Sequence, residues 1–79
     1  MTDSLLIDID PDICFGKPHI RGTRLKVSFI LDLLGSGWTI DDVLCEYDHI
    51  TREDVLACLS YAGTILENYR ATPGVKDAT

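Results

Sequence analysis

The spacing of apolar residues changes along this chain, and this change constrains the fold more than any other feature of the sequence. Before Val27, short apolar runs alternate with polar residues, as in residues 5–9, which is typical of strands. After Val27, apolar residues recur every three or four positions, which is typical of helices that bury one face. The pattern therefore predicts short N-terminal strands followed by a helical core.

Two strands, with a short extended piece between them, are predicted before the helices. Residues 5–9 alternate until Pro11, which lacks a backbone N–H and lies between two turn-favouring aspartates. Residues 13–15 are expected to be briefly extended, and Gly16 and Gly22 mark turns. Residues 23–27 alternate again, and this second strand is expected to place apolar and cationic side chains on opposite faces: Leu25 and Val27 against Arg24 and Lys26. Strands this short need helices, or a second copy of the chain, to pack against.

Three helices are predicted from capping residues and apolar stripes. Ser28 is expected to cap the first, which the glycines from position 35 onward end. Thr39 and Thr51 are expected to cap the second and third, and each is followed by carboxylates in the first turn, where the helix dipole favours anions. The outline predicts a mainly α fold with a three-helix, helix–turn–helix-like core.

The third helix is predicted to be the longest and to end near Tyr69 or Arg70. Its predicted apolar stripe, widened by Cys58 and Ile65, is Val55, Leu59, Ala62, Leu66 and Tyr69. Residues 71–79 have no apolar period and are expected to form a mobile tail. The chain is therefore expected to be one domain with an ordered core over about residues 5–70.

Size and composition favour a globular binding module. A chain of 79 residues buries too little surface for high stability as a monomer, so a homodimer with strands paired between subunits is expected. The 46% hydrophobic content excludes a disordered chain. No secretory signal or membrane-length apolar run is seen, so a cytoplasmic protein without membrane contact is expected. Its three cysteines are then expected to be reduced thiols: Cys14, Cys45 and Cys58.

Positive charge is concentrated in one part of an acidic protein. The net charge of −6 argues against nucleic acid, but one segment, residues 17–26, carries four cations and no carboxylate: Lys17, Arg21, Arg24 and Lys26. This basic segment is the candidate DNA-binding site, because guanidinium groups can bind phosphate or guanine in bidentate fashion. The alternative is that Arg24 pairs with an acid of its own chain, such as Asp41 or Asp42, and the segment is only a solvated strand face.

Partner contacts are predicted at two places outside the basic segment. Trp38 is either a staple on the second helix or an interface anchor, since Trp is enriched among binding hot spots. Ile65, Leu66 and Tyr69 lie beyond the reach of the two shorter helices and are expected to face a partner. No closely spaced ligand pair, nucleophile–base arrangement or phosphate loop is present, so no cofactor, no metal and no enzymatic activity are expected.

A longer run of residues carries a family resemblance. Residues 10–27, which read DPDICFGKPHIRGTRLKV, together with residues 30–44, Tyr47 and residues 50–57, resemble the bacterial domain-of-unknown-function family 433. The resemblance implies a homeodomain-like helix–turn–helix fold and a VapB-type antitoxin that neutralises a PIN-like nuclease toxin encoded beside it. Contact with its own promoter DNA is expected from the charge of the basic segment. A stand-alone transcriptional regulator and a structural adaptor module remain the alternatives.

Where such a protein would contact DNA is constrained by charge. The helix that normally enters the major groove would begin here with Arg52, Glu53 and Asp54. Two carboxylates facing a phosphate polyanion are unfavourable, so DNA contact is expected at the basic segment instead.

Overall fold

The computed structural model describes residues 6–68. Within them the chain forms two short strands and three α-helices, and their bounds are β1 Ile7–Asp8, β2 His19–Ile20, α1 Val27–Gly35, α2 Ile40–Glu46 and α3 Arg52–Glu67. The predicted mainly helical fold with short N-terminal strands is confirmed. Tyr69 and the tail predicted to be mobile lie outside the described residues.

The two strands form a small antiparallel sheet within the chain. Ile7 lies opposite Ile20, and Asp8 lies opposite His19. Ile7 and Ile20 are buried in the same core as the helices, and β1 contacts α3. A pair of two-residue strands would not be stable alone, so packing on α3 is what holds the sheet in place.

The second predicted strand, residues 23–27, is wrong in its position. The strand is His19–Ile20. Of the predicted segment, Lys26 forms an isolated bridge with His19, and the Leu25 carbonyl accepts from the Ile20 N–H at 3.0 Å. Gly22 adopts φ +82°, and the Thr23 hydroxyl donates to the Ile20 carbonyl at 2.9 Å. Because the local turn uses these groups, no regular ladder forms. The predicted facing holds for Val27, which is buried, and Arg24, which is exposed, whereas Leu25 and Lys26 are both half-buried.

The extended piece predicted at residues 13–15 is also wrong. Residues Cys14–Gly16 form a 3₁₀ turn, with Cys14 at φ 54°, Phe15 at φ 57° and Gly16 at φ 78°. The turn is closed by hydrogen bonds from the Gly16 N–H to the Ile13 carbonyl and from the Lys17 N–H to the Cys14 carbonyl, both 3.0 Å. Left-handed backbone is uncommon at residues other than glycine, and the sequence pattern does not indicate it here.

The first helix begins one residue before its predicted cap. Its N-cap is Lys26, which makes no side-chain capping bond, and Ser28 lies inside the helix. The Val27 N–H donates instead to the Pro18 carbonyl at 3.0 Å, so a contact with the preceding segment sets the start. The predicted stop is confirmed, because α1 ends at Gly35.

The caps predicted for the other two helices are confirmed. The Thr39 hydroxyl accepts from the Asp42 N–H at 3.1 Å, and the Asp42 carboxylate accepts from the Thr39 N–H at 2.9 Å. Thr51 and Asp54 make the same reciprocal pair at 3.2 and 2.9 Å. Each capping box satisfies two backbone donors that a helix N-terminus otherwise leaves without partners.

The third helix ends earlier and faces differently than predicted. It ends at Glu67 rather than near Tyr69 or Arg70, because the Asn68 side chain donates to the Thr64 carbonyl at 3.0 Å and caps the last turn. Leu66, which was expected to lie beyond the shorter helices, is 71% exposed. The buried residues of the helix are Val55, Ala57 and Cys58, whereas Leu59 is 42% exposed. The predicted stripe is therefore rotated, with Cys58 rather than Leu59 facing the core.

All three helices and the sheet share one core. Ile30 of α1, Val43 of α2 and Val55 of α3 are fully buried, and Phe29 packs edge-on against Tyr47 with ring centroids 5.7 Å apart. His19 is the buried polar side chain of the described residues, and its Nδ1 lies 3.3 Å from the Lys17 carbonyl oxygen. None of the helices in residues 6–68 combines the length and apolar character needed to cross a bilayer.

Candidate partner and nucleic-acid interfaces

The basic segment lies on the turns that surround β2 and lead into α1. Lys17, Arg21 and Arg24 are exposed, and Lys26 is half-buried. Arg21 reaches across the sheet to Asp8, with a guanidinium nitrogen 3.8 Å from a carboxylate oxygen. Three of the four cations of the segment are therefore presented to solvent, although tight turns hold its backbone and His19 and Ile20 are buried.

The predicted alternative for Arg24, an ion pair with Asp41 or Asp42, is wrong. Asp41 pairs with Arg52 at the start of α3, and the Asp42 carboxylate accepts from the Thr39 backbone. The ion pairs within residues 6–68 do not include Arg24. Its guanidinium therefore stays available for an external anion.

Phe15 is a candidate contact residue that no sequence pattern indicated. Its side chain is 94% exposed, and it borders a hollow of ≈ 330 Å³ together with Arg24 and Lys26. The Cys14 thiol donates to the Arg24 carbonyl at 3.2 Å and ties the Phe15 turn to the basic segment. The hollow is also lined by Asp12, so it holds two cations and one carboxylate beside the ring. An aromatic ring beside cations is a combination that stacks on bases while the cations neutralise phosphates. Its left-handed backbone is a tertiary feature, so sequence spacing could not have identified it.

Trp38 packs on the core and also keeps part of its surface exposed, and its role as an interface anchor stays a prediction. It is half-buried and packs against the core, as a staple would. Its remaining surface lines a hollow of ≈ 450 Å³ with Asp42, Cys45 and Glu46. The result is an aromatic ring with carboxylates beside it, at the surface formed by the start and end of α2. We call this the Trp38 hollow.

Ile65 and Leu66 line an apolar groove between the start of α1 and the second half of α3. The groove has a volume of ≈ 610 Å³, and Lys17 and Lys26 stand on it. Its other apolar lining comes from both helices and includes Val27, Leu31, Tyr61 and Ala62. We call it the lysine-edged groove. It brings together two sets of residues that the sequence placed in different sites, the cations of the basic segment and the predicted partner-binding side chains of α3.

Among residues 6–68, the Cys58 thiol has a clearly shifted pKa. Burial raises the pKa of the Cys58 thiol to about 12, and the nearby Asp54 carboxylate adds to the effect. A thiol with so high a pKa stays protonated and is a poor nucleophile at neutral pH. Over residues 6–68, no three His, Cys, Asp or Glu side chains are grouped as a metal site requires.

Comparison with known proteins identifies the domain type. The family model described as "Protein of unknown function (DUF433)" matches residues 7–62. The chain is similar to a crystal structure of a DUF433 member protein from Anabaena variabilis ATCC 29413, with 31% sequence identity and a TM-score of 0.74. That match covers 78% of this chain and 61% of the Anabaena protein, so the present chain spans less than two thirds of its relative. No curated protein matches the chain.

Proposed function

The chain belongs to the DUF433 family, and on that premise we propose that it is an antitoxin-like protein that binds and neutralises a PIN-like nuclease. It acts in the cytoplasm as a homodimer, has no enzymatic activity of its own, and contacts promoter DNA as a second function. In this proposal α2, residues 47–51 and α3 form the helix–turn–helix of a homeodomain-like, VapB-type fold.

The observation that carries the nuclease proposal is the Trp38 hollow. A nuclease must attract a polyanionic substrate, so its surface is cationic near the substrate path. The Trp38 hollow offers the complement, because Asp42 and Glu46 stand beside a ring of the kind enriched at binding hot spots. Its acidic character, on a chain of net charge −6, favours fast association with such a surface.

Co-purification with the nuclease encoded beside this chain tests the proposal. We expect Glu46→Lys, which reverses an exposed charge at the end of α2, to weaken the complex at least about tenfold, because it places like charges together. Trp38→Ala should weaken it at least about 30-fold if the ring is a hot spot.

The matched control for Trp38 is Phe15→Ala, which truncates an exposed aromatic residue on the cationic surface and should leave nuclease affinity unchanged. Circular dichroism of each variant establishes that it is folded. Absence of any complex between the wild-type chain and the nuclease would refute the antitoxin proposal. If the chain binds its promoter but not the nuclease, a stand-alone regulator is favoured. If it binds neither, an adaptor module is favoured.

DNA contact is proposed at the basic segment because its cations and an aromatic ring lie together. Arg24 has no carboxylate partner among the described residues, and Phe15 lies beside it. The start of α3 is less suitable, because Glu53 and Asp54 occupy its first turn. Arginines on phosphates with a ring against a base account for affinity without a cationic recognition helix.

A promoter-binding titration at several salt concentrations tests this surface. The slope of log binding constant against log salt concentration counts the phosphate contacts, at about 0.9 for each contact. Removing Arg21 and Arg24 together (R21A and R24A) should weaken binding and reduce the magnitude of this slope by about 2. The single variant Arg24→Ala should lower it by about 1, and Arg52→Ala, which removes one guanidinium from the acidic side, should leave it unchanged. Equal slopes for Arg24→Ala and Arg52→Ala would contradict the assignment.

A further inference from the structure

We infer that the lysine-edged groove is the interface of the homodimer, and that Leu66 of each copy inserts into the groove of the other. The inference rests on the homodimer of the proposed function and names its contact surface. It differs from strand pairing between subunits, because β1 and β2 already pair with each other within the chain.

The groove is an exposed apolar surface that its own helices leave uncovered. α3 has 16 residues, against nine in α1 and seven in α2, so its second half extends past the part that they bury. Ile65 is half exposed and Leu66 is 71% exposed on this extension. Neighbouring apolar side chains at the surface of a small domain mark an interaction site.

Charge complementarity indicates that a second copy of the chain occupies the groove. Lys17 and Lys26 stand on the groove, and the ion pairs of residues 6–68 include neither of them. Glu67 directly follows Leu66, is exposed, and is likewise absent from those pairs. When Leu66 enters the groove of a second copy, Glu67 is carried toward that copy's two lysines.

Two-fold symmetry requires a surface that complements itself, so that contact from residue i to residue j is repeated from j to i. The lysine-edged groove meets this requirement. Its cations come from the segment before α1, while the protruding leucine and the carboxylate come from the end of α3. Each copy therefore supplies both an insertion and a receptor, and the contact closes after two chains. Burying it also adds apolar contacts to a domain whose own core is small.

Sedimentation equilibrium over micromolar to submillimolar concentrations tests the interface. The wild-type chain should dimerise, and Leu66→Glu should raise the dimer dissociation constant at least about 30-fold. Leu66 is largely exposed, so this variant should keep its far-ultraviolet circular dichroism. The matched control is Leu56→Glu, the same change at a 47% exposed leucine of α3 outside the groove, and its dissociation constant should stay within about threefold.

A charge exchange tests the register of the contact. Lys26→Glu should weaken the dimer about tenfold, because it places two carboxylates together, and Lys26→Glu with Glu67→Lys should restore it to within about threefold. A wild-type monomer throughout the range would refute the homodimer and its interface together. Ile9 lies beside β1. If the dimer persists in Leu66→Glu but is lost in Ile9→Glu, the groove interface is refuted and pairing through the sheet is favoured. Nuclease binding by monomeric Leu66→Glu would leave the antitoxin proposal standing.

Discussion

Replacing Ile30 with alanine should lower the free energy of unfolding by about 2–5 kcal/mol, because the substitution removes buried apolar volume and leaves a cavity. Ile30 is fully buried in α1, which contacts both other helices. A core in a chain of this size rarely supplies more than about 3–5 kcal/mol in total. The variant should therefore be largely unfolded at physiological temperature, as measured by urea and thermal unfolding followed by circular dichroism.

The matched control for Ile30 is Leu56→Ala. Leu56 is a residue of similar size on α3, but half of its side chain is exposed and it does not belong to the core cluster. Its truncation should change stability by less than about 1 kcal/mol. Similar losses for Ile30→Ala and Leu56→Ala would contradict the position of the core and the assigned face of α3.

Stability should fall steeply above pH 9, and Cys58 should account for a separable part of the fall. Burial raises the pKa of its thiol from 9.0 to about 12, with a further contribution from Asp54. Above pH 9 the unfolded chain releases this proton while the folded chain keeps it. The unfolded state is then favoured, so the contribution is fully present below pH 9 and is lost as the pH rises toward 12. The loss approaches about 1.4 kcal/mol per pH unit.

Urea unfolding under reducing conditions between pH 7 and 11 measures this slope. Cys58→Ala should be less stable at neutral pH, because it leaves a small cavity, but its stability should fall less steeply above pH 9. Cys45→Ala is the control, since Cys45 is exposed, and it should keep the wild-type slope. All other ionisable groups of the chain are the same in wild type and Cys58→Ala, so the difference between their slopes reports on Cys58. Identical slopes for wild type and Cys58→Ala would show that the thiol is not buried as the structure places it.

The parts of the fold that could be predicted from sequence are those that depend on neighbouring residues. Thr39 with Asp42 and Thr51 with Asp54 form their capping boxes within four residues, so the composition of each turn decides the start of the helix. The same holds where α1 ends at Gly35. By contrast, α1 begins at Val27 rather than at the predicted cap because of a hydrogen bond to Pro18, nine residues earlier. No local pattern encodes that contact.

The candidate sites divide in the same way. The concentration of positive charge in the basic segment is visible in the sequence, and so is the presence of Trp38, Ile65 and Leu66. Which of these side chains lie together in space is not visible in the sequence. Lys17 and Lys26 were predicted to bind DNA, yet both stand on the same groove as Ile65 and Leu66. Their place in DNA contact stays a prediction, and the groove gives these two lysines a second role.

The sequence by itself determined the order of the three helices from Val27 to Glu67, two of their three starts and the place where positive charge collects, because these depend on residues a few positions apart. Only the tertiary structure decided which face of α3 is buried. Apolar side chains surround much of that helix, and the choice of Cys58 over Leu59 depends on how it packs against α1, α2 and β1. The same packing leaves Leu66 exposed beside two lysines. The spacing that predicted a helix could therefore not show that its end forms a groove.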